Sequence, residues 1–188
     1  MKKQEKLILQ IIIIVALLLT IFSLILPWAH YSIPSSSGKL ELYNWGAHSM
    51  NYNFFNQSNF FRDSWIPYLG LPDFNRMLQG VDNPIIRVSW VLALTIFPLV
   101  VIGLCFGLFG YQKYGEKFDT FFICFSAILF LISIIVFFIF IQFGISSLMI
   151  HTNLSDTNSS IGLGFVFIIV ATIILFIVHF IQYVIDIK

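Results

Sequence analysis

The side chains best equipped for chemistry are four histidines, His30, His48, His151 and His179, and two cysteines, Cys105 and Cys124, in a chain of 188 residues. A metal centre needs such ligands close together in a recognisable pattern. Here there is no Cys-x-x-Cys or Cys/His pair, and no two histidines stand at ligand spacing. The serines at 35–37 and 159–160 lie in neither a nucleophile elbow nor a Ser-x-x-Lys context. Acid/base chemistry would have to draw on Glu41, Asp63, Asp73, Asp82 and Asp156, and nothing in their spacing singles out a pair. The residues therefore predict no enzyme, no cofactor and no metal.

The framework that must position them is built for lipid. Hydrophobic residues make up 59% of the chain and charged ones 10%, far from the balance of a soluble domain. The formal net charge is +1 and lysines cluster only at Lys2, Lys3 and Lys6, which excludes a nucleic-acid surface. The expected fold is an all-α membrane protein, a bundle of four transmembrane helices at about 7–27, 85–110, 118–145 and 161–185. About twenty apolar residues rise roughly 30 Å as a helix, enough to cross a bilayer core. These spans leave a long first extracytoplasmic loop at 28–84, a cytoplasmic turn at 111–117 and a second extracytoplasmic loop at 146–160.

The first span has a positive head like a signal peptide. It is longer than such a segment needs, and Pro27-Trp28 follows it without a small-x-small cleavage site. An uncleaved span is the expectation. No Asp, Glu, Lys or Arg interrupts the four apolar cores, which counts against pumps and proton-coupled transporters. Lysines in the head and at Lys113 and Lys117 of the short turn, with none at 144–160, predict cytoplasmic N- and C-termini in the cell membrane. The sequons at Asn56, Asn153 and Asn158 then fall in the outer loops as candidate glycosylation sites.

Small residues mark helix contacts. Gly103 and Gly107 form a GxxxG pair with Gly110 one turn on, and Gly162 and Gly164 open the fourth span. Such spacing suits packing within the bundle or against a second copy. Pro98 is expected to kink the second span. Cys105 and Cys124, near the cytoplasmic turn, suit plain apolar packing, with acylation as the alternative.

In the first loop, Trp28 leaves the membrane at headgroup level, where Trp is favoured. Residues 39–45 alternate, with Leu40 and Leu42 facing one way and Lys39 and Glu41 the other. With a turn read at Pro34–Gly38, that pattern predicts a small two-stranded β-hairpin of residues 28–33 and 39–45. Residues 71–80, with proline near the start and glycine at the end, read as a short helix. Trp28, Trp45, Gly46 and Trp65 are the loop's candidate anchor and contact residues, with Arg87 at the entry to the second span.

Trp28, Trp45-Gly46, Arg87 and Gly162-Leu163-Gly164-Phe165 together resemble the pattern of the claudin and peripheral myelin protein superfamily of tetraspan proteins. The family's W…W-G-L-W motif continues here as Ala47-His48 after Gly46, and the loop lacks the family's cysteine pair. The resemblance implies adhesion, assembly or auxiliary work and no catalysis. The function expected is thus a non-enzymatic multi-pass protein whose first outer loop makes lateral or cell-surface contacts. The alternative is a small auxiliary or stabilising subunit of a larger membrane complex. Its partners would be the bilayer and either further copies or another membrane protein, met through the first outer loop and the second helix.

Overall fold

The computed structural model describes residues 3–32, 39–50, 64–67, 84–112, 119–146 and 158–186. Its helices are α1 (Lys3–Ile25), α2 (Pro84–Ala93), α3 (Ile96–Gln112), α4 (Asp119–Ile139) and α5 (Leu163–Asp186). The chain breaks between α2 and α3 at Leu94-Thr95, one turn ahead of Pro98. Pro98 has no N–H for the carbonyl of Leu94, and its ring crowds that carbonyl. The gap closes with tighter bonds, Leu94 N–H to Val91 O at 3.2 Å and Thr95 N–H to Leu92 O at 3.0 Å. The disruption expected at Pro98 is thus a two-residue turn, after which Leu99 N–H to Thr95 O at 3.1 Å resumes the helix.

At its far end α4 widens into a π-helical turn, Phe140–Ile145, in which the Ser146 N–H reaches back to Ile141 O. The turn sets Gly144 against α2, where a Cβ would lie 2.9 Å from Ser89 Oγ. Wide turns of this kind arise where packing overrides the regular helix.

Four stretches, Lys6–Ile25, Val91–Gln112, Thr120–Ile145 and Leu163–Val184, are long and apolar enough to cross a membrane. They are apolar on both sides. Ile13, Ala16, Val100, Ile123, Phe130, Ala171 and Leu175 fill the interior, while Ile11, Phe22, Phe109, Ile135, Ile173 and Phe180 face outward. Helices hydrophobic all round belong in lipid or in a large core. The buried hydroxyls of Thr20, Ser133 and Thr172 donate to carbonyls of their own helices, at 3.0 Å to Ala16, 2.7 Å to Phe130 and 2.6 Å to Ile168. Each is satisfied within its own helix, whereas the buried Ser126 Oγ has no hydrogen-bond partner among the described residues.

One end of the bundle carries an antiparallel sheet of β1 (Ala29–Ser32), β2 (Lys39–Leu42), β3 (Gly46–Met50), β4 (Ser64–Pro67) and β5 (Asn158–Ile161). The strand order is β4-β3-β2-β1-β5. The hairpin expected from residues 28–33 and 39–45 is present as β1 and β2, paired from Ala29↔Leu42 to Ser32↔Lys39, but it is part of a larger sheet. β5 comes from the second loop, and its four residues are all exposed. Lacking apolar alternation, it carried no strand signal; its register on β1, from Ser32↔Asn158 to Ala29↔Ile161, is set by backbone pairing. The short helix expected at 71–80 lies outside the described residues.

Candidate functional site

The sheet is joined to the bundle where α1 ends. The last carbonyls of a helix lack helical partners, and here the problem is sharpened. Ser23 O would ordinarily accept from the N–H of residue 27, which is Pro27. Leu24 O would ordinarily accept from the N–H of Trp28, but that N–H turns away to Leu42 O in β2 at 2.6 Å. Two indoles take over. Trp28 Nε1 donates to Ser23 O at 2.8 Å, and Trp45 Nε1 donates to Leu24 O at 3.0 Å.

Trp28 is fully buried, edge-on to Phe137 of α4 at 4.9 Å and tilted against Phe165 of α5 at 5.6 Å. One side chain thereby ties α1, α4 and α5, and its backbone adds β2. The expectation of a headgroup-level anchor is replaced by an interior one, because Phe137 and Phe165 supply an aromatic pocket and Ser23 an acceptor. Trp45 is half-buried and stacks obliquely on Tyr43, ring centres 5.3 Å apart.

Gly162 and Gly164 complete the joint. Their N–H groups donate to Trp28 O and Pro27 O, each at 2.9 Å. A Cβ on Gly162 would collide with the Pro27 carbonyl, and one on Gly164 with the Leu26 carbonyl. The start of α5 thus lies backbone to backbone on the end of α1, an approach only glycine permits. Gly103, Gly107 and Gly110 face inward on α3 and are buried. Cβ atoms there would lie 2.6 Å from Phe130 Cε1, 2.6 Å from Leu17 Cδ2 and 2.7 Å from Ile123 Cγ1. That face is occupied within the chain by α4 and α1.

The sheet has two unlike faces. Ala29, Tyr31, Leu40, Leu42 and Ala47 are buried on one. Burial pushes the Tyr31 phenol up to about 12. On the other face the pairings align Ser160, His30, Glu41 and His48 in a single row, and the backbone of Trp65 takes the next register position on β4. His30 Nδ1 lies 3.6 Å from Glu41 Oε1. The second carboxylate oxygen, Oε2, accepts from Tyr43 Oη at 2.8 Å. Burial, and then this bond and the Glu41 charge, push the Tyr43 phenol well above its ordinary value.

Asn44, in the turn joining β2 to β3, is wholly buried, and its amide has no hydrogen-bond partner among the described residues. Tyr43 N–H donates to Gly46 O at 2.7 Å across that turn. Trp65 lies on β4 opposite His48, and Arg87 falls in the first turn of α2; the side chains of both lie outside the described residues. Asn158 is exposed at the start of β5, whereas Asn56 and Asn153 lie outside the described residues. Cys105 is exposed on the flank of the bundle and Cys124 partly so; both thiols are free.

Sequence reasoning missed the row His30, Glu41, His48. The alternation of residues 39–45 would have found Glu41's face, but only strand register shows which histidines flank it. No known family model matches the chain, and no curated protein is detectably similar to it.

Proposed function

We propose that this is a non-enzymatic multi-pass membrane protein whose sheet, built from the first and second outer loops, makes lateral or cell-surface protein contacts. The observation that carries this is the joint at Trp28, Trp45, Gly162 and Gly164. A bundle apolar on its outer side carries a five-stranded sheet at one end, tied to it by two indole hydrogen bonds and a close glycine contact, where a partner can meet it. Preorganised surfaces bind with less ordering loss. The lysines of the N-terminal head and the short turn favour cytoplasmic termini in the cell membrane, with the sheet outside. Two indoles where the sheet meets the bundle suit the claudin-like resemblance carried by Trp28 and Trp45-Gly46.

A second reading, an auxiliary subunit of a larger complex, is favoured by an apolar cleft of about 260 Å³ between α2 and the π turn. Pro84, Val88, Ser89, Leu92, Ile139 and Phe143 line it. Because the glycines of α3 face inward, an interhelical partner would meet this side before the Gly103/Gly107 stripe.

Native mass spectrometry after gentle extraction, with crosslinking through the exposed Lys39 of β2, tests the proposal. Homo-oligomers, or a second protein joined at Lys39, support the contact role. A fixed ratio with a larger chain not joined at Lys39 selects the auxiliary reading. A monomer that crosslinks to nothing in its own membrane overturns both.

A further inference from the structure

We infer that His30, Glu41 and His48 form a binding site for a borderline transition ion of the zinc(II) class on the outward face of the sheet. The three residues occupy one register line on adjacent strands, with His30 and His48 directly across from Glu41 on either side. Side chains paired in this way point to the same face with Cβ atoms about 5 Å apart. Two imidazoles and a carboxylate are a donor set that zinc takes readily and that calcium and magnesium do not.

The one measured ligand pair agrees with this. Ligand atoms about 2.0–2.1 Å from a tetrahedral ion lie about 3.4 Å from one another. His30 Nδ1 and Glu41 Oε1 are already 3.6 Å apart, and both side chains are partly open to solvent. The carboxylate is also held from behind: the Tyr43 hydroxyl occupies Oε2 at 2.8 Å and leaves Oε1 turned toward His30. Outer partners of this kind fix a ligating carboxylate. Among the described residues no group of three His, Cys, Asp or Glu side chains is placed to hold a metal ion as it stands. Completing the set requires the His48 side chain to rotate toward Glu41, its direct cross-strand neighbour. The fourth position is left to water or to Ser160, the next residue in the row.

Such an ion would staple β1, β2 and β3 together. The sheet has no disulfide to do so, since Cys105 and Cys124 both lie in helices. The site does not depend on the proposed contact role and is measured on the isolated protein.

The test is calorimetric titration of zinc chloride into the full-length, chelator-treated protein in detergent at neutral pH. One saturable ion per chain is expected. His30→Ala and His48→Ala should each weaken binding about tenfold or more, and Tyr43→Phe by about tenfold through the loosened carboxylate. His151→Ala should leave it unchanged. Glu41→Gln, nearly isosteric, separates loss of a ligand from loss of the fold and should also weaken binding. Absence of saturable binding, or binding that survives both histidine substitutions, overturns the site. Should the variants fail to fold, cobalt(II) added to the unaltered protein decides. A tetrahedral visible spectrum abolished by zinc upholds the site, and the faint octahedral spectrum of the hydrated ion overturns it.

Discussion

The Trp28 indole stands 2.8 Å from the Ser23 carbonyl, which it caps because the residue due to do so is Pro27. The proline that ends α1 thereby creates a vacancy that its neighbour fills, and the same neighbour becomes the centre of the aromatic cluster. A helix end, a strand start and a core anchor are one event in the sequence Pro27-Trp28-Ala29.

Trp28→Phe keeps most of the ring but strands the Ser23 carbonyl in the interior. Leaving a buried acceptor unmatched costs about 1–3 kcal/mol, while Trp28→Ala should lose about 3–5 kcal/mol as the pocket against Phe137 and Phe165 empties. Thermal unfolding in detergent is the measurement. A Trp28→Phe protein as stable as the parent would show that the cap contributes nothing.

Trp45→Phe removes the second cap from a half-buried position, so the expected loss is smaller, about 0.5–1.5 kcal/mol. Because both indoles serve adjacent carbonyls of α1, the double variant should depart from additivity. Strict additivity in unfolding midpoints would mean that the two caps act independently.

Gly162→Ala and Gly164→Ala should force α5 away from the end of α1 and loosen β5 from β1. A disulfide engineered between Ser32→Cys and Asn158→Cys, which are directly paired, reports this in a background with Cys105 and Cys124 replaced by serine. It should form readily with the glycines intact and poorly with either alanine. Equal yields on a gel would refute the close-approach argument.

Gly107→Leu drives a side chain into Leu17 of α1, and Gly103→Val into Phe130 of α4. Overpacking of this kind costs about 1–3 kcal/mol. Ile102→Leu, on the outward side of the same helix, should be neutral. If the glycine variants altered oligomer size and left unfolding unchanged, the stripe would be an intermolecular face after all.

By itself, the sequence determined the class of fold. Long charge-free runs in lipid can satisfy their backbone only as helices, so four helices long and apolar enough to cross a membrane, their approximate ends and the disruption near Pro98 follow from composition and local geometry. The alternation around Leu40 and Leu42 likewise announced a half-buried strand. Tertiary structure alone decided the rest. Trp28 reads as a surface anchor until Phe137 and Phe165, distant in the chain, close around it. Asn158–Ile161 has no apolar pattern, and becomes a strand only because β1 offers it a free edge and Gly162 a place to turn. His30, Glu41 and His48 lie on three separate strands and are aligned only by register, a property of paired backbones that no single strand encodes.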